Sequence, residues 1–211
     1  MIIEENYSPA YYTYEVVTPP TTTAITPDDV RAHAHINIDP SITDAYITSV
    51  IKAATTFAEN YTKRIFINTT FKTYRDYFSD CIELRRSKFQ SLVHFKYLIG
   101  DLLFAVDNSL YYVTNEKDYS KIILKTDKSY PTDIEKRVQA IEIQFVAGYG
   151  ASGSAFPSDA EDLKIALLNH VTYLFENKGD CDLTSLENIE DAMPNTTRLI
   201  YNQHRIIEAF V

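Results

Sequence analysis

The chain has 211 residues, of which 45% are hydrophobic and 23% charged, so it can build a sizeable core and is too apolar for a disordered chain. Its formal net charge of −9 repels phosphate, which argues against general nucleic-acid binding but not against a pore that DNA slides past. No apolar run reaches the roughly 18 residues of a membrane span, and the polar, acidic opening Met1 to Ser8 is wrong for a signal peptide.

Residues 1–24 read as an extended arm. Pro19-Pro20 and a threonine run disfavour helix, and Tyr7, Tyr11, Tyr12 and Tyr14 are candidate contacts with a neighbouring molecule. A first short helix starts at Thr26-Pro27-Asp28-Asp29: a capping hydroxyl, a proline at the first helical position, then two acids at the positive helix end. Asp39-Pro40 repeats the start signal. Ile42, Tyr46, Val50, Ala53, Ala54, Phe57 and Tyr61 then share one face of a long helix ending near Lys63.

From Ile65 the chain turns β-branched and aromatic. Strand-like runs cover 65–77, 81–84, 92–99, 102–106, 110–113, 121–124 and 140–147, several of them separated by turn signals such as Gly100-Asp101 and Asp127-Lys128-Ser129. Alternation of Ile141, Ile143 and Phe145 with Glu142 and Gln144 marks a strand with one wet face. Helix returns after Phe156-Pro157, with Ser158 and Glu161 spaced as a capping box and Gly179 as a stop. An acidic linker follows, and residues 195–211 show helical spacing of Leu199, Ile200, Gln203, Ile206, Ile207 and Phe210. The fold class expected is α+β: a small helical bundle of two long helices plus short ones (25–64 and 155–179), an inserted, mainly antiparallel β subdomain (65–154), a linker (180–194) and a terminal docking helix (195–211).

Little in the chain points to catalysis. Gly148-Tyr149-Gly150-Ala151-Ser152-Gly153 matches G-x-G-x-x-G, yet the best helix start lies beyond it and no parallel strand follows, so no dinucleotide site is expected. His33 and His35 point to different faces of a helix, and His94 and His170 stand alone. Cys81 and Cys181 are far apart, lack zinc spacing and read as reduced thiols. No catalytic, cofactor or metal residue is assigned. Arg85, Arg86 and Lys88 form the one dense basic run before the terminal helix. It is either a solvated loop or a contact with an acidic neighbour or DNA phosphates.

In order and spacing, four segments resemble the head–tail adaptor (connector) family of bacteriophages. They are Ile25 to Ile36, Asp44 to Ala54 with Glu59 to Arg64, Phe145-Val146-Ala147-Gly148-Tyr149-Gly150, and Phe156-Pro157 with Leu163 to Val171 and Glu176-Asn177. The resemblance implies a non-enzymatic virion protein. It would form a dodecameric ring under the portal protein and join the head to the tail, stopper or tail-terminator, with DNA only passing through its channel and no membrane or cofactor involved. It places the chain at the virion neck, and in the host cytoplasm during assembly. It also implies that the C-terminal helix engages the portal. Arg198, Leu199, Tyr201, Arg205, Ile206 and Phe210 are the candidate portal-binding residues, and removing residues 195–211 is expected to abolish portal binding while leaving a folded domain. The alternative is a monomeric binding module whose β subdomain presents a ligand surface.

Overall fold

The computed structural model describes residues 13–34, 42–86, 88–116, 118–150, 156, 160–177 and 193–206. Tyr7, Tyr11, Tyr12, His35, Asp39-Pro40, Ser158, Gly179, Cys181 and Phe210 lie outside them.

Among the described residues, four helices and eight strands follow one another. Strand β1 (Tyr14–Thr18) precedes helices α1 (Pro27–Ala34) and α2 (Asp44–Thr62). Strands β2 (Thr69–Arg75), β3 (Cys81–Leu84), β4 (Phe89–Ile99), β5 (Leu102–Ala105), β6 (Tyr111–Asn115), β7 (Ser120–Leu124) and β8 (Ile141–Ala147) form the middle. Helices α3 (Glu161–Glu176) and α4 (Asn195–His204) complete it.

The α1 start is the one its residues predict. The Thr26 amide donates to Asp29 Oδ2 (2.8 Å) and the Asp29 amide to Thr26 Oγ1 (3.1 Å), a reciprocal cap. Lys164 on α3 reaches Asp29 Oδ1 at 3.3 Å and ties α1 to its neighbour. The second helix differs from expectation. It begins at Asp44 with Thr43 as its cap, whose hydroxyl accepts from the Tyr46 amide, so the start lies beyond Asp39-Pro40. It ends on Lys63, held in the left-handed region (φ 60°). Helix α3 also departs from the predicted capping box: Ala160 occupies the cap position without a side-chain hydrogen bond, and Glu161 is the first helical residue.

All strand pairs within the two sheets are antiparallel. One sheet has five strands in the order β1-β2-β8-β4-β5, the other three in the order β3-β7-β6. Phe71, Phe95, Tyr97, Ile141, Ile143 and Phe145 of the large sheet pack on Ile82, Leu84, Tyr111 and Ile122 of the small one, which makes a sandwich. The opposite face of the large sheet is polar. There Glu142 sits between Lys72 (3.3 Å) and His94 (2.7 Å). Residues 14–18, expected in a free arm, are an edge strand of this sheet, paired Tyr14 to Thr73 and Val16 to Phe71.

A second core belongs to the helices. Val30 of α1, Ile47, Ile51, Ala54 and Ala58 of α2, and Leu163, Ala166, Leu167 and Val171 of α3 fill it together with Met193 and Tyr201. Phe66 and Ile67, at the α2–β2 junction, extend it toward the sandwich.

Candidate assembly surfaces

The C-terminal helix is divided between core and surface. Tyr201 is completely buried and packs near Tyr61 (ring centroids 6.3 Å apart) and His170 (6.0 Å). Burial pushes its phenol well above the ordinary tyrosine value. Thr197, also fully buried, donates to the Ala166 carbonyl at 3.3 Å. Two sequence expectations are thereby corrected. Tyr201 faces its own core, so it is removed from the partner-facing set. And α4 is part of the helical core rather than a separable appendage, because its buried stripe fills space between α2 and α3.

Of the other predicted residues that are described, Leu199 and Arg205 are exposed and Arg198 and Ile206 half-buried. Leu199 is 64% exposed. Arg198 reaches Asn195 Oδ1 at 3.0 Å along the same helix. Helix α4 ends at His204, short of the predicted Phe210. Arg205 is extended, and its guanidinium lies 5.0 Å from the Tyr61 ring centre. The Ile206 amide donates to the Thr62 carbonyl at 2.9 Å, fastening the exit of α4 to the end of α2.

Arg64 strengthens that junction, and nothing in its sequence context singled it out. Its side chain is only 6% exposed. One guanidinium edge donates to the His204 carbonyl at the end of α4. Another nitrogen pairs at 2.6 Å with Asp118 in the β6–β7 loop. Nearby, the half-buried Glu59 carboxylate accepts from the Phe66 amide at 2.7 Å. Burial raises the Glu59 pKa against the opposing effect of the Phe66 and Ile67 amides.

The basic run sits beside β1. The Arg85 amide donates to the Tyr14 hydroxyl (2.7 Å), and the Arg85 side chain pairs with Glu83 at 2.9 Å. The Arg86 guanidinium lies 4.6 Å from the Tyr14 ring centre. Lys88 Nζ lies 6.0 Å from that of Tyr149. Tyr14 packs edge-on against Phe71 (6.5 Å) and Phe145 (6.1 Å). This corrects its expected role: Tyr14 contacts its own sheet rather than a neighbour.

The glycine motif serves chain packing. A Cβ on Gly148 would stand 2.5 Å from the Asn68 nitrogen and 2.6 Å from the Ile67 carbonyl carbon, and the residue has φ +147°. The two segments touch through backbone. The Gly148 amide donates to the Lys88 carbonyl (2.8 Å), Tyr149 to Phe66 (3.2 Å) and Asn68 to Gly150 (2.7 Å). The amides of Gly148 and Tyr149, which a phosphate would need, are thus already committed.

The remaining polar candidates are structural too. His33 Nε2 lies 2.9 Å from Asn169 Oδ1, and His204 Nε2 lies 2.6 Å from Asp162 Oδ2. Cys81 is an exposed free thiol. Among the described residues, no three His, Cys, Asp or Glu side chains gather to hold a metal.

Comparison with known proteins adds a family and a fold. The family model of phage gp6-like head-tail connector proteins matches residues 26–96. No curated protein matches the sequence significantly. A chain from the neck of an empty gene transfer agent (GTA) particle with C6 symmetry superposes with a TM-score of 0.73 at 19% identity, covering 94% of this chain and 97% of that one. A chain from the virion of a native gene transfer agent particle gives 0.71 at 21% identity, with the same coverage of each chain. One from the neck of a native particle with C12 symmetry gives 0.66 at 19% identity, again with the same coverage. Residues 26–96 therefore carry the sequence signature of the phage gp6-like head-tail connector family, on a fold shared nearly end to end with chains of gene-transfer-agent particles.

Proposed function

We propose that this chain is a structural protein of the neck of a phage or phage-like particle, where copies of it form a ring that joins the portal to the tail or its stopper. The observation that carries this reading is the full-length fold likeness to neck chains at a TM-score of 0.73, together with the connector signature in residues 26–96. Support for a twelvefold ring is that one of those necks was computed with C12 symmetry, another having been computed with C6.

The role assigned to the helical unit is to hold α4 so that Arg198, Leu199 and Arg205 meet the portal, with Ile206 at the start of the segment that leads to Phe210. Leu199 supplies exposed apolar area in a basic setting, area that binding would remove from water. Tyr201 supports this surface from beneath. The acid-rich composition suits a channel through which DNA slides, because like charge limits adhesion.

Particles assembled with and without the chain test the proposal. With an epitope-tagged full-length chain, label is expected at the head–tail junction, and without the chain, DNA-filled heads are expected to lack tails. Label at the tail tip, or normal tailed particles in its absence, would refute it.

A further inference from the structure

A closed ring of more than two copies needs two different surfaces on opposite flanks of each subunit, because its contact is heterologous. The large sheet ends in two such surfaces. At one edge, β5 presents Leu102, Leu103 and Phe104 at 66%, 45% and 42% exposure. At the other, β1 presents Val16 and Val17 at 53% and 43%, and Val17 has no cross-strand partner in β2. Among the described residues no further strand pairs with either edge, and each edge carries exposed apolar side chains. Strand β5 carries none of the lysines or prolines that ordinarily blunt such an edge.

Charge distinguishes the two edges. Cross-strand pairs run from Glu15 through Lys72 and Gln144 to His94, so these residues share the polar face of the sheet. Lys96, two residues beyond His94 on β4, lies on that face as well, opposite Ala105 of β5. An acid therefore stands on the β1 edge. A base stands one strand in from the β5 edge, between Ala105 of β5 and Glu142 of β8.

Direction agrees as well. Every neighbour in the five-strand order is antiparallel, so β1, β8 and β5 run one way and β2 and β4 the other. The two edges of the sheet thus point the same way. A rotation about an axis roughly along the strands brings β5 of one copy beside β1 of the next as a parallel pair.

We infer that the partner of the β5 edge is the β1 edge of a second copy of this chain, so that the sheets continue from subunit to subunit and Lys96 meets the next copy's acidic edge. This rests on the ring reading above. It names the surfaces that close the ring.

Cysteine cross-linking in assembled particles tests it, using the full-length chain with Cys81→Ser and Cys181→Ser as background. With a short bis-maleimide, Val17→Cys alone and Leu103→Cys alone should each leave monomers. Co-expression of the two single variants should give dimers and no larger species. The double variant should give a ladder extending well past the dimer. Normal necks without a ladder, or dimers from Leu103→Cys alone (a two-fold β5 contact), overturn the edge pairing and leave the ring standing. Necks that lack the chain overturn both.

Discussion

Replacing Gly148 by alanine tests whether the glycine loop is a packing device. The new methyl would lie 2.5 to 2.7 Å from three backbone atoms of Ile67 and Asn68. Backbone cannot rotate away as a side-chain tip can, so the two segments must separate. Separation endangers the Asn68 to Gly150 and Tyr149 to Phe66 hydrogen bonds, each worth about 1 kcal/mol net. The φ of +147° adds roughly 1 to 3 kcal/mol for a residue with a Cβ. Less the smaller entropy of the unfolded alanine chain, the expected loss is about 3 kcal/mol or more. Gly100 provides the control. It also has positive φ (+59°), but nothing lies within 4 Å of its Cβ, so Gly100→Ala should cost only about 1 kcal/mol. Urea melts of both variants, read as shifts in midpoint at unchanged slope, measure the difference. If Gly148→Ala is no more damaging than Gly100→Ala, the close-approach argument is wrong.

Tyr201→Ala should cost about 4 kcal/mol because it empties a fully buried site, while Leu199→Ala should change stability by less than about 0.5 kcal/mol and weaken co-sedimentation with portal rings. By the same logic, truncation after Pro194 should unfold the helical core, visible as loss of a cooperative thermal transition. Arg64→Ala should cost about 2 kcal/mol, most of it from the lost charged bond to the His204 carbonyl, since half-exposed Asp118 can rehydrate; hydrogen exchange should rise in α4. Asp29 is held below the ordinary aspartate value: partial burial opposes ionisation, and the bonds from Thr26 and Lys164 outweigh it. Its stabilisation is therefore complete above pH 3.8 and fades as pH falls through the lower folded value, so Asp29→Asn should flatten the acid limb of the stability curve. Tyr130 stacks on Phe78 at 4.4 Å with its hydroxyl buried and unbonded among the described residues, and burial pushes its pKa up to about 12. Tyr130→Phe should raise the urea midpoint by the equivalent of about 1 kcal/mol.

Local signals were the legible ones. The Thr26–Asp29 cap closes within one helical turn, so its residues announce it without help from the rest of the chain. The α2 start departs from the Asp39-Pro40 signal because the structure uses Thr43 as the cap instead. Only the hydroxyl that meets the Tyr46 amide decides between them. The wet and dry faces of β8 followed from period two. Its place between β2 and β4 did not, because strand order depends on contacts that have no period. Nor was the division into two sheets readable. The apolar stripe of α4 was visible, yet periodicity reports only that a stripe is covered. It does not say whether the cover is the chain's own core, as for Tyr201, or another molecule. Arg64 was invisible for a related reason: its partners lie 54 and 140 residues away along the chain.

That arginine sets a mechanical relation between distant parts of the molecule. One rigid, planar fork holds the last carbonyl of α4 with one arm and the β6–β7 loop with the other. A hydrogen bond tolerates displacement of only a few tenths of an ångström before it weakens. If the end of α4 is pulled, the guanidinium must either release the helix or carry the loop with it. Load applied at one end of the subunit is thus felt at its β hairpin through a single side chain. In the neck ring proposed above, that fork would act as a tie rod.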